Sequence, residues 1–171
     1  SHVMKIVEKY VTHCKPAKVT VVTDAKEDID YVRQLSLKNG EEKKLSMEGH
    51  TIHYDGYKDQ ARDKANTKAL VSKGRKLSKV INTGDREECL KEVHELLEGI
   101  MEGKEMIIRF FCLGPLNSKF SICALQLTDS AYVGHSEDIL YRAGYEQFKK
   151  LNKEKRDFFY FVHSAGKLDA R

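Results

Sequence analysis

The sequence predicts an α/β fold, a mixed sheet flanked by helices, with α+β as the alternative. Two observations carry this. Four short apolar or β-branched runs have strand length: Lys18–Thr23, Met106–Leu113, Phe120–Leu127 and Asp157–His163. Between them lie stretches with apolar residues at helical spacing, so strands and helices alternate along the chain.

The elements follow in order. Ile6, Val7, Tyr10 and Val11 predict a helix over Met4–His13, stopped by Pro16. Lys18–Thr23 is the first strand. Asp24, with Glu27 three residues on, has the pattern of a capping box. It opens a helix with an inner stripe of Ile29, Val32 and Leu35, closed by Asn39-Gly40. Leu45, Met47, Ile52 and Tyr54 alternate around Gly49, predicting a hairpin within Glu41–Asp55. Asp59–Ala69 reads as a polar helix, and Lys73-Gly74-Arg75-Lys76 as a basic loop. Asp85 and Glu88 repeat the capping pattern ahead of Leu90, Val93, Leu96, Leu97, Ile100 and Met101, with Gly103 closing the helix. Met106–Leu113 and Phe120–Leu127 read as core strands joined by a loop with Gly114, Pro115 and Asn117. Surface helices are predicted at Ser136–Leu140 and Gly144–Leu151, and a last buried strand at Asp157–His163.

A length of 171 residues predicts one domain, taken as residues 4–171. Residues 1–3 read as an expression scar ahead of Met4. Hydrophobic residues at 40% and charged residues at 33% suit a globular chain with a heavily charged surface. The net charge of +4 comes from 30 basic and 26 acidic residues that are interspersed, which argues against a dedicated nucleic-acid binder. No apolar run approaches the roughly 18 residues of a membrane span. The four cysteines, Cys14, Cys89, Cys112 and Cys123, show no C-x-x-C spacing, which reads as a reduced, cytoplasmic protein. Cys112 and Cys123 fall in apolar strands and read as small core residues.

Several polar groups invite chemistry. His163-Ser164 and His135-Ser136 resemble fragments of a nucleophilic pair, but neighbours on a strand point to opposite faces, so His163 is badly placed to activate Ser164. His50-x-x-His53 and His13-Cys14 lack the second pair that a zinc site needs, so no metal ligand is assigned. Lys68, Lys73, Arg75, Lys76 and Lys79 form a basic stretch without interleaved aromatics, read as a solvated face. Thr128-Asp129-Ser130 and Gly114-Pro115 read first as turn and cap determinants, with the rim of a ligand cleft or a domain-docking site the alternative for the former and a ligand cradle for the latter.

Three segments carry a family resemblance. Gly114-Pro115, an apolar run, Thr128-Asp129-Ser130 and Tyr132-Val133 follow in that order. Tyr54-Asp55-Gly56-Tyr57 and Asp59-Gln60-Ala61-Arg62 precede them, and Phe161-Val162-His163-Ser164-Ala165-Gly166 follows. From about Tyr54 to Ala165 the chain resembles the N-terminal domain of GTP-dependent phosphoenolpyruvate carboxykinases, especially the archaeal members. The resemblance implies a substrate-side domain, with Arg62 holding the carboxylate of phosphoenolpyruvate or oxaloacetate. A guanidinium suits that role, being permanently charged and matching a carboxylate bidentately. Asp59, one helical turn earlier on the predicted helix, is expected either to orient Arg62 or to form a simple surface ion pair with it.

In the full enzyme the resemblance implies conversion of oxaloacetate and GTP to phosphoenolpyruvate, carbon dioxide and GDP, assisted by manganese or magnesium. The P-loop, the metal ligands and the reactive cysteine of that family belong to a C-terminal nucleotide-binding domain. No G-x-x-x-x-G-K-[ST] run occurs here; Gly99–Lys104 has the wrong spacing and continues into Glu105. The chain is therefore expected to be inactive alone, with no cofactor or catalytic residue of its own, and to work with that domain in cis or in trans. The alternative is a naturally short, non-catalytic relative that binds an organic acid or a separately encoded partner.

Overall fold

The computed structural model describes residues 1–55, 63, 65–154 and 156–166. Its contacts divide into two compact units, Ser1–His53 with Gly99–Arg171, and Tyr54–Glu98. The alternation of helices and strands makes the chain α/β, as its sequence predicts.

The first unit opens with α1 (His2–Cys14), whose first turn is capped when Met4 N–H donates to Ser1 Oγ at 3.3 Å. That hydroxyl starts the helix two residues before the predicted Met4. Lys15 ends it in the left-handed region, φ 52°, just before Pro16. Strand β1 (Lys18–Val21) leads to α2 (Lys26–Lys38), which Asn39 and Gly40 close as expected. The capping box does not form. Ala25 is the N-cap of α2 without a side-chain bond, and the Asp24 carboxylate instead accepts the Tyr145 and Glu146 amides at 2.8 and 3.0 Å. A partner 121 residues away outcompetes the local one. The predicted hairpin is present but short, with β2 (Lys43–Lys44) antiparallel to β3 (Thr51–Ile52).

The sheet is built on β6 (Glu105–Leu113) and β7 (Ile122–Thr128), antiparallel over seven residue pairs from Ile107↔Thr128 to Leu113↔Ile122. Strand β9 (Phe159–His163) lies parallel to β7. The other edge of β6 is shared end to end. Parallel β1 takes Glu105–Ile108, and the antiparallel β8 (Arg142–Ala143) takes Phe111–Cys112. Helix α4 (Ala131–Leu140) follows β7, and α5 (Tyr145–Glu154) follows β8.

Period-two alternation sends the two faces of β6 to different layers. Ile107 packs with Val22, Val32 and Ala131 on the α2–α4 side. Phe110 meets the rings of Tyr145 and Phe148 of α5 at 5.2 and 5.0 Å. Tyr10 of α1 meets Tyr160 of β9 at 6.1 Å. Each fully buried Ile or Leu side chain here, such as Ile107, Leu125 or Leu127, stabilises the fold by roughly 1.5–3 kcal/mol. Two expectations change. Helix α4 starts five residues earlier than Ser136 and buries Ala131, Gly134, His135 and Glu137, so it is no surface helix. Strand β9 is an edge rather than a buried strand, with Phe159, Tyr160 and Phe161 exposed.

In the second unit β4 (Ala69–Val71) runs parallel to β5 (Thr83–Asp85), and α3 (Arg86–Leu97) follows. Asp85 caps α3 as predicted, accepting from the Glu87 and Glu88 amides at 2.9 and 3.1 Å. The helix ends at Leu97, not Gly103. Glu98 is extended and Gly99 adopts φ 62°, so Ile100 and Met101 leave the helical stripe. Among the described residues no α3 side chain is buried. Of the predicted Asp59–Ala69 helix, Asp63 and residues 65–68 are turn and coil, and Ala69 begins a strand. Positions 59–62 and 64 lie outside the described residues.

Gly144 marks the tightest approach at the β6–β8 edge. A Cβ there would sit 2.9–3.0 Å from the Phe111 backbone. Gly144→Ala is expected to destabilise the chain by about 1–3 kcal/mol, read as a lower urea midpoint with unchanged m-value.

Candidate functional site

The segments that stand out in the sequence meet at the C-terminal ends of β7 and β9, where the register pairs Thr128 with His163. Their side chains bond too, Thr128 Oγ1 to His163 Nδ1 at 2.9 Å. One residue on, the Asp129 side chain is fully buried. It accepts from Ser164 Oγ at 2.6 Å, the Ala165 amide at 2.8 Å and Lys104 Nζ at 2.9 Å. Lys104 also donates to the Gly166 carbonyl. These three donors are all protein groups, and a buried carboxylate persists only with such partners.

Ser130 caps α4, its Oγ accepting the Val133 amide at 3.2 Å. A second carboxylate reinforces the cap from far along the chain. Glu41 accepts from Ser130 Oγ at 2.6 Å, Tyr132 N–H at 2.9 Å and Ala131 N–H at 3.1 Å. A negative group at a helix N-terminus is favoured by the orphan amides and the helix dipole. Next to Glu41, His53 Nδ1 lies 2.6 Å from the Glu41 carbonyl oxygen, and its ring stacks on Tyr132 at 3.7 Å.

These contacts assign the titratable groups to support. His163 engages Thr128 while Ser164 engages Asp129, so the two do not form a nucleophile–base pair. Burial, outweighing the pull of Asp129 and Glu41, holds the His163 imidazole below its usual pKa. The Thr128-Asp129-Ser130 run acts as the turn and cap determinant that its composition suggests. Gly114, φ 81°, is a turn residue too. His50 Nδ1 lies 3.1 Å from the Glu48 carbonyl within the hairpin. Among the described residues no three His, Cys, Asp or Glu side chains converge as a metal site.

A family model described as the phosphoenolpyruvate carboxykinase N-terminal domain matches residues 5–171. The chain is 60% identical over 163 residues to the phosphoenolpyruvate carboxykinase (GTP) of Thermococcus sibiricus, covering 95% of this chain and 26% of that protein. The Pyrococcus abyssi protein of the same name gives the same identity and coverage. That of Saccharolobus solfataricus is 41% identical over 170 residues, covering 98% of this chain and 27% of the relative. The chain belongs to the phosphoenolpyruvate carboxykinase N-terminal domain family. It spans about a quarter of the length of the curated relatives it matches.

Within this carboxykinase domain, Arg62 and Asp59, the predicted carboxylate grip and its orienting partner, lie outside the described residues. Lys68, Lys73, Arg75, Lys76 and Lys79 are exposed, as a solvated basic face should be. Among the described residues no helix is long and apolar enough to cross a membrane.

Sequence reasoning missed a buried charge cluster under α4. Arg109, 2% exposed, bonds Asp138, and its Nε faces Glu137 Oε2 at 4.0 Å. Arg109 Nε and Glu137 Oε2 have no hydrogen-bond partner among the described residues. The signal was available, an arginine in the middle of the apolar run MIIRFFCL. Burial pushes the Glu137 carboxyl up to about 8 from its ordinary 4.5; the Arg109 charge offsets this only in part, and Asp138 adds to it. Burial also raises Asp138.

Between those two pH values the folded chain keeps a proton on Glu137 that the unfolded chain has released, so stability falls as pH rises through the window. Urea titrations between about pH 5 and pH 9 should show Glu137→Gln losing less stability with rising pH than wild type, by about 1–3 kcal/mol over the range. Parallel pH profiles would show that Glu137 is ionised in the folded chain.

Proposed function

We propose that residues 4–171 act as the substrate-side domain of a GTP-dependent phosphoenolpyruvate carboxykinase. The observation that carries this is the 60% identity to the Thermococcus sibiricus enzyme over 95% of the chain. In this reading Arg62 holds the carboxylate of phosphoenolpyruvate or oxaloacetate. The match of residues 5–171 to the family supports the position, and the bidentate fit of guanidinium to carboxylate supports the chemistry. Asp59, three residues earlier in the sequence, is the candidate to orient the guanidinium.

The nucleotide and its manganese or magnesium ion bind a separate C-terminal domain. A metal bound there would supply charge neutralisation for the phosphoryl group, and Arg62 would hold the organic acid by its carboxylate. The protein works in the cytoplasm, and neither nucleic acid nor membrane is a partner. The chain alone does not turn over.

The test is a calorimetric or NMR titration of phosphoenolpyruvate into the 171-residue chain and its Arg62→Ala variant, beside a GTP- and manganese-dependent carboxylation assay. Weak binding by wild type, weakened at least ~10-fold by Arg62→Ala with an unchanged melting temperature, is the expected result. No turnover is expected from either. Equal affinities, or no binding by wild type, would remove Arg62 as the grip, and robust turnover would refute a separate phosphoryl-transfer domain.

A further inference from the structure

We propose that Cys112 and Cys123 form a disulfide-bonding pair, a modification site where a low-molecular-weight disulfide converts two core thiols into one covalent tie between β6 and β7. The inference is independent of the proposed function. The two residues are directly opposite in the antiparallel ladder. Opposed residues in such a ladder have Cα atoms about 4.5 or 5.5 Å apart, and both spacings fall in the roughly 4.4–6.8 Å range that disulfides span. The side chains already point at each other, with the Sγ atoms 3.0 Å apart. The remaining cysteines offer no rival pairing in this ladder. Cys14 lies in α1, and Cys89 lies in α3 of the other compact unit.

The chemistry balances as two successive exchanges. The Cys123 thiolate attacks one sulfur of the small disulfide and expels one small thiolate. The Cys112 thiolate then attacks the Cys123 sulfur of this mixed disulfide and expels the second. The protein loses two protons and two electrons, and the small disulfide gains them and leaves as two thiols.

Both cysteines are almost wholly buried, at 0% and 3% exposure. Burial also pushes the Cys112 thiol up to about 12, so Cys112 carries little thiolate in the folded sheet. Oxidation therefore proceeds while the hairpin is open and is then locked away from reductant by closure. The bond would close a short loop around the Gly114-Pro115 turn. Its effect is to restrict the unfolded chain, which raises the melting temperature.

The experiment refolds the reduced, guanidinium-unfolded chain in a mixture of oxidised and reduced glutathione, and in parallel in a phosphine reductant. Alkylation and peptide mapping follow. The oxidised arm should yield a cross-linked peptide joining Cys112 to Cys123, with Cys14 and Cys89 alkylated. Its melting temperature should be about 5 °C above the reduced arm. Cys112→Ser should melt alike in both buffers. The wild-type comparison stands by itself if that variant does not fold. Free or glutathione-capped Cys112 and Cys123 in the oxidised arm would overturn the proposal. So would cross-links to Cys14 or Cys89, or a lower melting temperature of the cross-linked chain.

Discussion

A buried carboxylate must be fully hydrogen-bonded or the fold bears the cost of desolvating it. Asp129 meets that demand with partners from two directions: Lys104, just before β6, and Ser164 and Ala165, just after β9. Meeting it fixes where three stretches of chain stand relative to one another. The turn entering β6, the exit of β7 and the exit of β9 are held by a single side chain. Helix α4 starts from this junction, and Glu41 completes its cap. The two most conspicuous motifs of the sequence, Thr128-Asp129-Ser130 and His163-Ser164-Ala165-Gly166, are thus one structural unit.

That arrangement separates positioning from chemistry. A serine, a histidine, a lysine and an aspartate lie together, yet each is consumed by another protein group. Their hydrogen bonds make a rigid end to the sheet. The Arg109–Glu137–Asp138 cluster shows the opposite balance. Its charges are buried with orphaned atoms, and Glu137 responds by holding a proton. Such clusters contribute less to stability than an apolar core of equal volume would. They tie α4 to β6 through directional contacts.

Legibility in the sequence followed the range of the interactions. Strands β6 and β7 are readable because mainly apolar runs of strand length between turn residues have few other solutions. The Asp85 cap was readable because its partners, Glu87 and Glu88, are two and three residues away. Asp24 carried the same local signal and was misread, because the amides that it caps belong to Tyr145 and Glu146. Glu41 gave no local signal for its role at α4, about 90 residues on. Ile100 and Met101 continue the period of α3 in the sequence, but the helix ends at Leu97 and the Met101 amide instead donates to the Cys14 carbonyl at 3.0 Å. Arg62 was reached through family resemblance, since one arginine in a polar stretch carries no spacing signal.

The most direct measurement is hydrogen exchange and urea unfolding of Asp129→Asn. The isosteric amide keeps the shape but removes the charge that Lys104, Ser164 and the Ala165 amide share. A loss of about 3 kcal/mol, with the amides of Ala165 and Gly166 losing protection first, is the outcome that a central Asp129 requires. Unchanged stability with unchanged protection of those amides would contradict it.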